Sequence, residues 1–234
     1  MLVFVDDDNI LSYNYLETVF LISKSHPKLG AFGGSQIPEF EIDPPAWSID
    51  YLGLLALCEL KGDSWGYGPG LSAKVFAPCG AGLVVLKEVA IYYSKLVSAG
   101  GQRSRLGRRG VTLTSGEDTD MAMCACKLGY CVGRFKGLVL LHLIPKKRLY
   151  WDYILLLIEG MAYSHEILRF LWDEPLTVLP ISRGRFQAVI DNYFDWRWRK
   201  SMSSDGYLRF KFKLLADRSE CKGIEKAHKQ ILEV

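Results

Sequence analysis

Three consecutive carboxylates, Asp6-Asp7-Asp8, stand directly behind the apolar run Leu2-Val3-Phe4-Val5 and are followed by Asn9. An unbroken apolar run of this kind predicts a central, parallel strand buried on both faces, with a neighbour on each side. Open α/β sheets bind ligands in the crevice beyond the carboxyl ends of such strands. Acids delivered there supply hard oxygen ligands for Mg²⁺ or Mn²⁺ and, with the ion, for a phosphate group. In an extended tip Asp6 and Asp8 leave on one side and Asp7 on the other, so the outer two converge on one ion or its ligand. The bland alternative is a turn or cap cluster, but three adjacent acids repel one another unless a cation or donors compensate.

The chain has 234 residues, 49% of them hydrophobic and 24% charged, which suffices for one sizeable core plus an appendage and argues against disorder. A net charge of +3 is too small to point to a nucleic acid, and none is expected as a partner. The six cysteines form no CxxC pair and read as reduced thiols of a cytoplasmic protein. Cys124 and Cys126, two apart on an expected helix, diverge, which disfavours zinc. The most apolar later stretch, Ile154 to Leu171, is interrupted by Glu159, His165, Glu166 and Arg169, so it reads as a packed helix rather than a membrane span.

After the acidic tip, Leu16, Val19 and Phe20 recur at helical spacing, with Ser12 as the cap and Pro27 as the stop. Gly30 to Gly34 reads as a short strand, and the Pro-rich stretch from Ile37 to Gly70 as an irregular excursion broken by an apolar segment, Tyr51 to Leu60. Trp47, Trp65 and Tyr67 in that excursion either stack on a sugar or cover core. Cys79-Gly80-Ala81-Gly82 forms a small-residue turn where backbone can approach a ligand, feeding a strand at Leu83 to Leu86 and a helix around Lys87 to Val97. From Ser98 to Ser115 the chain is Gly-rich and basic, with Arg103, Arg105, Arg108 and Arg109, fitting either a mobile flap or a solvated loop. A helix opened by Glu117 and Asp118 buries Met121, Cys124, Ala125 and Leu128 and ends at Gly129. Two strands follow, Tyr130 to Phe135 and Leu138 to Leu141, then a long amphipathic helix with Leu149, Tyr153, Leu156, Gly160, Tyr163, Ile167 and Leu171 on one face. From Asp173 on the chain reads as mostly helical. Leu208, Phe210, Phe212 and Leu214 nevertheless alternate with basic residues at the strand period; a solvated helix face or contact with an anionic surface are the two readings.

Ser115-Gly116-Glu117-Asp118 has the form of a capping box, and acids suit a helix's first turn. Its functional reading makes Asp118, with Glu117 beside it, a general base that takes a proton from an attacking hydroxyl. His142, at the end of an apolar strand, is either a satisfied polar residue or a ligand that, joined to carboxylates, favours Mn²⁺. Lys146, Lys147 and Arg148 beside it suit the neutralisation of a departing diphosphate.

Taken in order, Val3-Phe4-Val5-Asp6-Asp7-Asp8-Asn9, Gly80-Ala81-Gly82-Leu83-Val84-Val85, Gly116-Glu117-Asp118-Thr119-Asp120 and His142-Leu143-Ile144-Pro145-Lys146-Lys147-Arg148-Leu149 resemble the family 2 glycosyltransferases of the bacterial polysaccharide type. The resemblance spans Leu2 to about Leu171. It implies an α/β, GT-A-like mixed sheet flanked by helices, N-terminally truncated, with residues 1–148 as the metal and acceptor part and 149–234 as a helical extension packing on it. It also implies inverting, metal-dependent transfer of a sugar from a nucleotide diphosphate sugar to a saccharide or lipid-linked hydroxyl. On that resemblance Asp6, Asp8 and His142 hold Mn²⁺ or Mg²⁺, and Asp6, Asp7, Lys146 and Arg148 contact nucleotide or diphosphate. Asp118 and Glu117 are catalytic; Gly80, Ala81, Gly82 and Trp65 line donor sugar and acceptor, and residues 103–115 close over them.

In the family the acidic strand follows a nucleotide-binding βαβ half, so the expected partners include a separate N-terminal half as well as a peripheral contact at the inner face of the cell membrane. Leu86 also stands where many relatives carry Arg. Two alternatives remain: a non-catalytic remnant or scaffold subunit, and a phosphohydrolase of the haloacid dehalogenase type, whose downstream Ser or Thr, Lys and acidic pair have no convincing positions here.

Overall fold

The computed structural model describes residues 1–108, 112–179 and 203–233. Arg109 of the basic loop and the expected helical residues 180–202 lie outside the described residues. Six strands, β1 (Leu2–Val3), β2 (Asn9–Leu11), β3 (Leu29–Phe40), β4 (Ser64–Gly66), β5 (Val84–Val85) and β6 (Cys131–Ile144), form one mixed sheet in the order β1-β5-β3-β6-β2, with β4 on β6. The described helices are α1 (Tyr15–Ser25), α2 (Lys87–Ser98), α3 (Glu117–Lys127), α4 (Trp151–Leu171) and α5 (Ser204–Leu232).

The sheet is built on the parallel pair β3 and β6, which runs from Leu29 opposite Cys131 to Phe40 opposite Ile144 with register shifts between Leu29 and Ala31 and between Gly33 and Ser35. The two strands expected around Phe135 and Leu138 are one: the break at Lys136-Gly137 is an irregularity between the Gly33–Arg134 and Ser35–Val139 pairs. Gly34 permits the close approach there, since a Cβ on it would collide with the Leu138 carbonyl. The glycine-rich segment thus lies in a long central strand that continues through Pro38, further into the Pro-rich stretch than composition suggests.

Alternation along β3 and β5 separates two cores. Ala31 and Val85 face α2 and α3, where Val89, Ala122, Met123 and Cys124 are buried. Phe32 and Val84 face α1, packing with Tyr15, Val19, Phe135 and Leu138. α1 therefore buries Tyr15 and Val19, while Leu16 and Phe20 of the expected stripe are each 62% exposed. In α3 the buried set is broader than expected and includes Asp120, whereas Leu128 at its end is 38% exposed.

α4, α5 and the 3₁₀ segment Ala46–Leu55 close over a further core of Ile144, Leu149, Ile154, Leu157 and Phe212. The alternating Leu208 to Leu214 segment is helical, and Phe212 is fully buried against Trp47, Tyr51 and Trp151. Truncating a ring so enclosed costs about 3–5 kcal/mol, which is how α5 is anchored at its start.

The first strand departs most from expectation. β1 is two residues long, antiparallel to β5 and at a sheet edge among the described residues. Leu2, Phe4 and Val5 are 44%, 41% and 46% exposed. An apolar run signals burial only when neighbours exist to cover it, and here β5 alone pairs with it. No helix among the described residues is long and apolar enough to cross a membrane.

Candidate active site

The acidic triplet sits in a turn rather than on an extended tip. The Asn9 amide donates to the Asp6 carbonyl at 3.1 Å, and β2 starts at Asn9. β2 then pairs antiparallel with the end of β6, placing Asn9 opposite His142, and the Leu143 amide donates to the Asp8 carbonyl at 2.9 Å. This register brings the aspartates to the imidazole. Asp8 Oδ1 lies 3.6 Å from His142 Nε2.

Arg148 completes that corner. Its Nη2 donates to Asp8 Oδ2 at 2.5 Å and its Nη1 to His142 Nε2 at 3.0 Å. A guanidinium only donates, so Nε2 accepts and the ring proton sits on Nδ1, a buried atom with no hydrogen-bond partner. Burial holds the His142 pKa below its ordinary value, Arg148 adding to this and Asp8 and Asp6 opposing it, so the ring is neutral with a lone pair aimed into the corner.

On the other side, α3 starts at Gly116, whose φ of +97° suits glycine, and no side chain caps the helix. The expected capping box is absent: the Ser115 amide instead donates to Ser164 Oγ on α4 at 2.9 Å. Asp118 Oδ1 accepts from the Thr119 amide at 2.8 Å, and Gly80 presses against the same carboxylate, where a Cβ would lie 2.9 Å from Oδ2. Burial raises the Asp118 pKa, with nearby Asp6 adding to the rise and backbone donors, including Gly80, opposing it. Glu117 is raised likewise by burial, with Asp118 and Asp6 adding, and its Oε2 is buried without a hydrogen-bond partner. Asp6 thus lies within electrostatic reach of Glu117, Asp118 and His142.

A cleft of about 490 Å³ opens beside the triplet, lined by Asp7, Asp8, Glu39, Glu41, Lys147 and Arg148 with Phe40, Ile144 and Pro145. Lys147 rather than Lys146 faces it; Lys146 is exposed, and its amide donates to Glu41 Oε2 at 2.9 Å. Of the small-residue turn, Gly80 alone meets a catalytic candidate. The Ala81 carbonyl accepts from Gln36 Nε2 at 3.2 Å, and the Gly82 carbonyl from the Tyr15 hydroxyl at 2.6 Å, both buried inside the sheet layers. Trp65 lies apart: it pairs opposite Gly133, nine residues before His142 on β6, roughly 30 Å away at strand rise. There it stacks on Phe135 and meets His26 edge-on, the core-covering role.

Residues 103–108 form a packed strap. Arg103 Nε donates to buried Asp120 at 2.6 Å, Trp172 Nε1 donates to the other oxygen of Asp120 at 2.8 Å, and Leu106 is buried against Ile167 and Leu168. Sequence reasoning missed Gln36 and Lys74. Gln36 is 1% exposed and braces the turn under the site, and its signal was an amide inside an apolar strand. Lys74 lies within electrostatic reach of Asp118, brought there by a 3₁₀ turn, Ser72–Phe76, that carries no local motif.

The divalent ion implied by the resemblance can be tested against the donors. Among the described residues no three His, Cys, Asp or Glu side chains form a metal cage. Two donors, Asp8 and neutral His142, do converge on one point, now taken by the Arg148 guanidinium. Mg²⁺ and Mn²⁺ are commonly held by one or two protein groups plus substrate phosphates, so the pair fits an ion that arrives with a diphosphate. The cleft's four acids outnumber its two bases, so an anionic diphosphate would need added positive charge to bind there.

No protein-family model, no curated protein and no solved structure matches the chain.

Proposed function

We propose that the chain carries the catalytic side of a GT-A-like, inverting glycosyltransferase that moves a sugar from a nucleotide diphosphate sugar to a hydroxyl acceptor. The observation that carries this reading is that Asp6 lies within electrostatic reach both of Asp118 at the start of α3 and of His142 at the Asp8 corner. An inverting displacement needs a base on the acceptor side and positive charge on the leaving-group side; on this reading Asp118 is the first, and the Asp8–His142 pair with Arg148 serves the second. The acceptor oxygen bonds to the anomeric carbon as the carbon–oxygen bond to the diphosphate breaks. Asp118, with its pKa raised by burial towards the working range, takes the acceptor's proton, and the diphosphate leaves with the electron pair. A Mg²⁺ or Mn²⁺ ion, when bound, supplies charge for the diphosphate. Asp8 and His142 would hold it, and Arg148 and Lys147 would add positive charge for the leaving diphosphate.

The test is nucleoside diphosphate binding with Mn²⁺ by calorimetry, alongside sugar transfer. Asp8→Ala should abolish both, and Asp118→Asn should abolish transfer while leaving binding within about threefold of wild type, because a base absent from donor contacts affects only the chemical step. Near-normal transfer by both variants would refute the assignment.

A second reading, a scaffold subunit without transfer activity, is favoured by one observation: the exposed apolar residues of β1 and α1, including Phe4, Leu16 and Phe20. It predicts no nucleoside diphosphate binding by the chain with or without Mn²⁺.

A further inference from the structure

Away from the acidic cleft, a second cavity of about 460 Å³ lies where the segment before α3 crosses α4 and α5. Its wall is Leu113, Leu156, Gly160 and the Tyr163 ring, and Arg105, Lys222 and Lys226 reach it with one carboxylate, Glu159. Gly160 makes the crossing possible, since a Cβ there would collide with the Leu113 carbonyl. Gly223 does the same for α5, where a Cβ would collide with the Glu159 carbonyl.

Two of the three cations share the one acid. Lys222 Nζ lies 2.7 Å from Glu159 Oε2 and Lys226 Nζ contacts Oε1, while both lysine side chains stay more than half exposed. Against the cost of burial, the two lysines hold the Glu159 carboxyl below its ordinary range, so it stays charged. Arg105 interacts with the Tyr163 hydroxyl, which also lines the cavity. The side chains at the cavity therefore carry two positive charges in excess beside an apolar floor.

That surplus matches a phosphate monoester, which carries about −1.5 to −2 at neutral pH and is recognised by an Arg fork better than a single carboxylate is. The volume holds on the order of 15 water-sized groups, enough for a phosphate and about ten carbons. We propose that this cavity binds the phosphate ester of an apolar alcohol, with the phosphate among Arg105, Lys222 and Lys226 and the chain along Leu113, Leu156 and Tyr163. The site is independent of the sugar-transfer reading. It adjoins the acidic helix start nonetheless, because Thr114 of the same segment donates to the Gly107 carbonyl and Gly107 packs on Glu117.

Octyl phosphate, below its micellar range, is the probe for a soluble ester, and phosphatidylcholine vesicles with and without phosphatidic acid test a membrane source. By calorimetry octyl phosphate should bind, and inorganic phosphate at least about tenfold more weakly, since burial of two methylenes alone is worth that factor. Arg105→Gln and Lys222→Gln should each weaken octyl phosphate about tenfold or more. Lys226 still pairs with Glu159 in the second variant, and unchanged unfolding midpoints without ligand would show that both fold. Phosphatidic acid vesicles that retain wild type but not the variants identify a membrane lipid as the source; retention by neither vesicle, with octyl phosphate bound, identifies a soluble ester. Absence of octyl phosphate binding, binding indifferent to both substitutions, or inorganic phosphate binding as tightly as the ester would overturn the proposal.

Discussion

Nη2 of Arg148 lies 2.5 Å from Oδ2 of Asp8, and the two side chains are only 15% and 21% exposed. The acid that leads the sequence pattern is therefore met by a cation from the same chain, and that cation stands where an incoming ion would bind. On the proposed function, an ion and the guanidinium would compete for Asp8 and His142 until a diphosphate offered Arg148 another anionic partner.

Arg148→Ala should accordingly bind Mn²⁺ alone more tightly than wild type, by roughly tenfold, because the ion no longer displaces a charge-assisted hydrogen bond worth about 1.5 kcal/mol or more. Sugar transfer should fall in the same variant, since a cation beside the leaving group is gone. The measurement is Mn²⁺ titration by electron paramagnetic resonance without nucleotide. Equal affinity in the two proteins would show that the guanidinium does not occupy the ion's position.

Gly80→Ala tests the acceptor side. The new Cβ would fall 2.9 Å from Asp118 Oδ2 and 3.2 Å from the Asp118 Cβ, so the carboxylate must move. A displacement approaching 1 Å costs about 10²-fold in rate. The expected outcome is a kcat lowered by about that factor with nucleoside diphosphate affinity unchanged. A kcat within twofold of wild type would separate Asp118 from the chemistry.

The parts of the site that lie at the ends of apolar runs were legible in the sequence, because a run that ends marks where a strand meets solvent. Asp8 and His142 are of this kind, and the Asn9–His142 pair joins them. What the runs could not reveal is which neighbours each strand finds. Leu2 to Val5 has the composition of a central strand and takes an edge, and Trp65 pairs at the far end of the same β6 that carries His142. Periodicity failed where it was short: seven alternating residues around Phe212 belong to a 29-residue helix whose packing on α4 and Trp47 overrides the local pattern. The Ser115 capping box failed for a related reason. The Ser115 amide is taken by Ser164, 49 residues away on α4, a partner that local spacing cannot indicate.

His142 sets a pH dependence. Burial, aided by Arg148, lowers its pKa, so between the folded value and the unfolded value of about 6.5 the unfolded chain binds the proton first. Its contribution to stability is present above about pH 6.5 and is lost as the pH falls below that. Glu117 and Asp118, raised by burial, act with opposite sign: the folded chain holds their protons longer, so their cost is relieved as the pH falls through their folded values. Comparison with His142→Gln isolates the ring, because all other groups cancel. Urea unfolding at pH 7 and at about pH 5.5 should show wild type losing more stability than the variant; parallel losses would mean that the ring titrates alike in both states.

Asp120 tests how the strap is held. The side chain is fully buried, Arg103 donates to both of its oxygens and Trp172 Nε1 to one of them. Asp120→Ala leaves the Arg103 charge half-buried and unpaired beside Tyr93 and Cys124, at a cost of about 3–5 kcal/mol. Removing both partners, in Arg103→Met with Asp120→Leu, should cost markedly less than the sum of the single changes, since no buried charge is then left unmatched. Urea unfolding of the two single variants and the double variant measures this directly. Additive losses would mean that the ion pair contributes nothing beyond its two side chains' separate contacts, and that the strap is held to α3 by Leu106 and the Gln102 contact with α5 instead.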